Sequence, residues 1–280
     1  MSVRRIGLAY NPTSEAAVGL RDRAAAWCES AGVGHWAAQA GDLVTLNREL
    51  PASDVLVVLG GDGTFLRAAQ AVARVDVPLL GVNLGKVGFL SKAEATELEP
   101  VLRQLVEGDF SVGERMALAG AILPGGGPTG EAFTALNDIV VARGSLARVV
   151  RLDVTIDASH LATFVSDGLV VASPTGSTGY SFSAGGPILD PQSRNIVVTP
   201  IAGYLSALRS IVVSPRQVVR CRVVDAFEAL VSIDGREDRK LAVGDVVEVS
   251  AFDRPIRFVE PSGAMPFWDL LRTKVELLPS

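Results

Sequence analysis

VLVVLGGDGTFLRAAQAVAR, residues 55–74, runs from five apolar residues into two glycines, an aspartate and a third glycine, and then into a helical pattern. A strand apolar on both faces is buried on both faces, which is the environment of a parallel sheet covered by helices. The neighbouring sequence repeats the alternation. RRIGLAYN (4–11) reads as a strand, GLRDRAAAWCESAG (19–32) as an Ala-rich helix ending at Gly32, and VPLLGVN (77–83) as another strand. Strand and helix in alternation imply an α/β domain.

From about residue 110 the texture changes. MALAGAILP, EAFTALNDIVVAR, VVRLDVTID, LATFVSDGLVVAS, NIVVTPI, RSIVVSP, QVVRCRVVD, EALVSID and DVVEVSAFD are short β-branched runs broken by Gly, Pro, Asp and Asn. They predict a β-rich, sandwich-like second domain. PGGGPTGE (124–131) is a hairpin-sized loop, and AMPFWDLLRTKVELL (264–278) is an aromatic tail suited to return to the first domain. The expected division is 1–110 for the α/β domain, 111–262 for the β-rich domain and 263–280 for the tail.

Composition excludes several classes of function. The chain has 280 residues, 48% hydrophobic and 20% charged, enough to bury two cores. Its 26 basic and 31 acidic residues are mixed along the sequence, so it lacks the one-signed surface that binds nucleic acid or an anionic membrane. There is no apolar stretch of about 18 residues, and MSVRRIGLAYNP lacks the apolar core of a signal peptide, so a cytoplasmic protein is expected. Cys28 and Cys221 form no CxxC or Cys/His pattern and are expected to be reduced thiols. His35 and His160, the two histidines, suit surface positions better than a triad or metal cluster.

The turn in the opening stretch sits at the carboxyl end of a parallel strand, where open α/β sheets bind ligands. The helix that follows aims free N–H groups and its positive dipole end at that turn, which suits phosphate. Gly60 and Gly61 are expected to let the chain reverse with positive φ, with the helix starting near Thr64. Asp62 holds no anion there. It either takes a proton from a hydroxyl attacking phosphorus, binds a metal, or caps the helix. The stretch is neither a Walker A loop nor a G-x-G-x-x-G fingerprint.

A second constellation lies at 166–188. Asp167-Gly168 precedes the strand LVVAS, which opens into Pro174-Thr175-Gly176-Ser177-Thr178-Gly179-Tyr180. Small hydroxyl donors, glycines and one ring can approach a nucleotide closely, donate hydrogen bonds and stack on a base. The same residues serve equally to satisfy a loop's own backbone.

GGDGT (60–64), GVNLGKVGFL (81–90), LNDIVVAR (136–143), DGLVVASPTGSTGYSFSAGGP (167–187) and FWDLLRTKV (267–275), in that order and at comparable spacings, resemble the NAD kinase family. The resemblance covers nearly the whole chain, and the long Ser/Thr/Gly motif is its specific part, because diacylglycerol and sphingosine kinases share GGDGT. It implies transfer of the γ-phosphoryl group of ATP, or a phosphoryl group of polyphosphate, to the 2′-hydroxyl of the adenosine ribose of NAD. Asp62 would be the proton acceptor, with Gly63 beside the ligand. Asn137, Asp138 and Asp167 would contact the dinucleotide, and Thr178, Gly179, Tyr180, Ser181 and Ser183 would form the loop that holds it. Arg67 and Arg148 match basic ligand-contacting positions. The resemblance also implies magnesium arriving with ATP, no protein metal cage, and a homodimer or homotetramer.

There are departures. Asp138 stands where Glu is usual, Gly179 where Ala is usual, and Arg236 where Gln is common after Asp-Gly. PIAGYLSALRSIVVS (200–214) lacks the usual Cys-Pro-His. The charge run DGREDRK (234–240) reads as a solvated turn although Arg236 falls at a ligand position of the family. Phe267 and Trp268 read as packing residues, and Lys86 as either a solvated lysine or a contact for donor phosphates. A lipid kinase and a non-catalytic dinucleotide sensor are the alternative functions. The absence of a basic amphipathic segment weighs against the first, and the retained Asp62 against the second.

Overall fold

The computed structural model describes residues 3–85, 88–145, 148–203 and 208–276. They form two compact units, Met1–Glu114 with Ile256–Ser280, and Arg115–Pro255.

The first unit is built on a largely parallel sheet. Its strands are β1 (Arg5–Tyr10), β2 (Gly34–Gln39), β3 (Val55–Leu59), β4 (Leu79–Asn83), the short β5 (Ala93–Glu94), β6 (Phe110–Arg115) and a return strand, Ile256–Pro261. The order is β2-β1-β3-β4-return strand-β6, with β5 beside β4. All five residues of β3 are fully buried, as expected of a strand apolar on both faces. Helices α1 (Glu15–Ser30), α2 (Leu43–Glu49), α3 (Asp62–Val72) and α4 (Leu98–Glu107) connect these strands, and a helix at Phe267–Glu276 follows the return strand. Local chemistry sets their ends: Ser14 accepts the Ala17 N–H at the start of α1, Asp42 that of Thr45 at the start of α2, and Gly108 closes α4 at φ 77°.

The second unit is a sandwich of two six-stranded antiparallel sheets. One contains β7 (Leu118–Leu123), β8 (Glu131–Ala135), β10 (Val150–Ile156), β11 (Ser159–Ser166), β15 (Val219–Ala226) and β18 (Val246–Ala251), in the order β11-β10-β15-β18-β7-β8. The other contains β9 (Asp138–Arg143), β12 (Gly168–Ala172), β13 (Ile196–Ile201), β14 (Ile211–Val213), β16 (Ala229–Ile233) and β17 (Glu237–Leu241), in the order β14-β13-β12-β9-β16-β17. Leu118, Leu152, Val154 and Val247 of the first sheet share a core with Ile139, Val141, Leu169 and Val231 of the second.

Two of these β-branched runs each divide between the sheets. EAFTALNDIVVAR leaves the first sheet after Ala135 and enters the second at Asp138; LATFVSDGLVVAS does the same around Asp167. The polar residues that interrupt each run mark the crossing.

The unit boundaries differ from the expected 1–110, 111–262 and 263–280. Residues 111–114 belong to the first unit because β6 joins its sheet, and the return begins at Ile256 because Ile256–Pro261 pairs in parallel with β4. FSVGER and IRFVEP mix apolar with polar residues and carry no mark of which sheet they will join. No helix among the described residues is long and apolar enough to cross a membrane.

Candidate active site

Helix α3 begins at Asp62, two residues earlier than the expected Thr64, and its N-cap is Gly61, which has no side chain to cap with. Gly61 has a φ of −80°, so positive φ is not its role. Gly60 is needed for close approach: a Cβ there would lie 2.6 Å from Thr64 Oγ1. Asp62 therefore occupies the first helical position, and it does not act as the cap.

Its carboxylate Oδ1 is buried with no hydrogen-bond partner. Gly88 packs so tightly against it that a Cβ at 88 would collide with Asp62 Oδ1. Burial raises the Asp62 pKa above the ordinary carboxylate value, opposed by the backbone N–H groups of Leu90 and Phe89 and by the charge of Lys274. A buried oxygen left without a donor is costly in a folded protein and marks a place where a ligand completes the hydrogen bonding. Phe89 also packs on Phe267, with ring centroids 6.1 Å apart, and Phe267 on Trp268 at 4.9 Å, so Phe267 is a packing residue. Gly63 is exposed next to Asp62. Arg67 lines a recess of about 230 Å³ with Tyr10, Asn11, Gln39 and Thr64. Lys86 lies outside the described residues.

In the second unit, Asn137, Asp138, Gly179 and Tyr180 line one cavity of about 450 Å³, together with Arg143 and Asp234. The two motifs lock onto each other there. The Asn137 carbonyl accepts the Ser173 N–H at 2.8 Å, and a Cβ on Gly176 would run into that same carbonyl. Asn137 Oδ1 is buried and unpartnered, and Tyr180 presents a half-exposed ring. Asp138 is 6% exposed, and its pKa is raised to about 7, first by burial and then by the neighbouring Asp234.

The other motif residues have structural engagements. Asp167 is gripped by Arg143, with Oδ1 2.7 Å from Nε and Oδ2 3.2 Å from Nη2. Thr178 donates to the Thr175 carbonyl, Ser181 is fully buried 3.3 Å from Thr199 Oγ1, and Ser183 is exposed. Arg148 is exposed, 5.7 Å from the centre of the Phe227 ring.

Sequence reading missed Asp234. DGREDRK is not simply a solvated turn: the Asp234 side chain is 1% exposed and that of Arg236 17%. The available signal was an Asp-Gly pair directly after the apolar strand ALVSI. Cys28 and Cys221 are buried free thiols with pKa values pushed up to about 11 and about 12 by burial. Among the described residues no group of three or more His, Cys, Asp or Glu side chains can hold a metal.

Comparison with known proteins gives this geometry its context. The ATP-NAD kinase N-terminal domain model matches residues 5–110, and the ATP-NAD kinase C-terminal domain model matches residues 136–261. The chain belongs to the NAD kinase family. It is 40% identical to an NAD kinase of Syntrophotalea carbinolica over 79% of this chain and 78% of that one. It is 35% identical to an NAD kinase of Dehalococcoides mccartyi over 98% of this chain and 96% of that one. Among solved structures it is similar to an NAD kinase from Archaeoglobus fulgidus in complex with ATP, at 26% identity and a TM-score of 0.80, over 98% of this chain and all of that one. The α/β and β-rich halves are those expected of the family.

Proposed function

We infer that this chain is an NAD kinase that transfers a phosphoryl group from ATP to NAD and yields NADP. The reading of the individual residues goes further than family membership. The 2′-hydroxyl oxygen of the adenosine ribose attacks the γ-phosphorus, its proton passes to the Asp62 carboxylate, and the bond to the leaving ADP breaks. The observation that carries this role is the buried, unpartnered Oδ1 of a residue that does not cap its helix. Burial shifts Asp62 toward neutral pH, where a general base is most effective, while two backbone N–H groups and Lys274 keep the carboxylate form accessible.

Asn137, Asp138, Gly179 and Tyr180 are assigned to the dinucleotide, with the unpartnered Asn137 Oδ1 open to a donor and the Tyr180 ring to a base. Gly63, Arg67, Arg148, Asp167, Thr178, Ser181 and Ser183 are assigned supporting roles: Asp167 fixes Arg143 at the cavity, and Arg67 supplies positive charge two turns or less from the phosphate-facing helix start. Magnesium is assigned to enter on the ATP phosphates, where it would neutralise their charge. Polyphosphate as an alternative donor, a homodimer or homotetramer, and a cytoplasmic location complete the proposal. Purified protein given NAD, ATP and magnesium should form NADP; NAD recovered unchanged would refute the reading.

A further inference from the structure

We propose that Asp234 is a positioning residue of the dinucleotide cavity, acting through Asn137 and Asp138; this rests on the reading that those two side chains bind NAD. Between β8 and β9 the chain passes from one sheet to the other, so no ladder holds the backbone of residues 136 and 137. Their N–H groups still need acceptors. Asp234 supplies them. Its Oδ2 accepts the Leu136 N–H at 3.0 Å, and its Oδ1 accepts the N–H groups of Asn137 at 2.7 Å and Asp138 at 3.2 Å. The Asp234 N–H donates to the Asp138 carbonyl at 2.9 Å, which closes the clamp.

Three converging donors require a group that only accepts, so a carboxylate fits where an amide would turn its NH₂ toward one of them. Asp234 reaches them from the reversal after β16, where it adopts φ 51°, with Gly235 at 66°. A buried non-glycine residue in that region is held by its surroundings.

The clamp has an electrostatic consequence. It places a second carboxyl, with Arg236 Nη2 3.9 Å from its Oδ2, beside that of Asp138. Arg143 at the far end of β9 and Tyr180 face the same cavity. The Asp138 pKa is pushed up to about 7, and burial raises the Asp234 pKa as well, opposed there by the three N–H groups and the Arg236 charge.

The test is the dissociation constant for NAD, measured by calorimetry from about pH 5.5 to 8.5, for wild type, Asp234→Asn, Asp138→Asn and Asn137→Ala. Wild type should show a step near pH 7. Asp234→Asn should weaken binding about tenfold and move that step to lower pH, and Asp138→Asn should remove it. A purely structural Asp234 would lower thermal stability and leave the step in place, which would overturn the proposal. Weakened binding in Asn137→Ala with unchanged binding in Asp234→Asn would overturn the proposal alone; unchanged binding in Asn137→Ala would overturn the reading of the cavity beneath it. If Asp234→Asn does not fold, Asp138→Asn decides: a retained step contradicts the pairing.

Discussion

Asp62, part-buried with its Oδ1 enclosed, and Asp138, buried, both have raised pKa values, and what surrounds them separates their roles. Around Asp62 the other influences are two backbone N–H groups and the Lys274 charge, all of which favour the ionised form. Around Asp138 the next influence after burial is a second carboxylate, which favours the neutral form. Burial pushes both carboxyls toward the protonated form; around Asp62 that push is opposed, and around Asp138 it is reinforced. Desolvation alone therefore does not define a catalytic acid or base; the sign of the nearest charge assigns the role.

That contrast can be broken experimentally. The largest effect should come from chelating divalent metal, which should abolish turnover and leave the circular dichroism spectrum unchanged, because neither carboxylate belongs to a cage that supports the fold. Metal retained stoichiometrically by dialysed protein would contradict this. Next, Asn137→Ala removes an amide from the binding half, and NAD affinity should fall by about 1–3 kcal/mol with little change in kcat. A loss confined to kcat would erase the division of roles.

A smaller effect concerns stability. A carboxyl whose pKa is higher folded than unfolded stabilises the fold at low pH, and that contribution disappears as pH rises through the folded value, here about 7. Wild type should therefore lose about 2 kcal/mol between pH 5 and 8 relative to Asp138→Asn, measured by urea denaturation. Parallel curves would place Asp138 outside this electrostatic pair. The smallest effect should be that of Gly179→Ala. The added Cβ would sit 3.3 Å from the Gly176 carbonyl and 3.7 Å from Asp138 Oδ2, close but tolerable, so NAD affinity should change by no more than about twofold.

Much of this was legible in the sequence. Val55–Leu59 is apolar on both faces, and that fixes a buried parallel strand; the switch to short β-branched runs announces the sandwich. β2 was not legible, because GHWAAQ sits at an edge of its sheet, half exposed and without alternation. The return strand was not legible because its pairing with β4 is set by tertiary contact across most of the chain. In the site, Asp62 was singled out by its place among glycines after a buried strand, and Asp138 and Asp167 through the family resemblance. Asp234 was missed because a charged turn and a buried clamp share a composition, and only the backbone N–H groups that it meets tell them apart.

Asp62→Asn tests the central claim most directly. Asn preserves the size of the side chain, and since Gly61 provides the N-cap position no capping bond is lost. With NAD binding and turnover measured on the same preparation, the account predicts an unchanged dissociation constant and a kcat lower by roughly 10²–10⁴. A folded variant that turns over at near wild-type rate would contradict it.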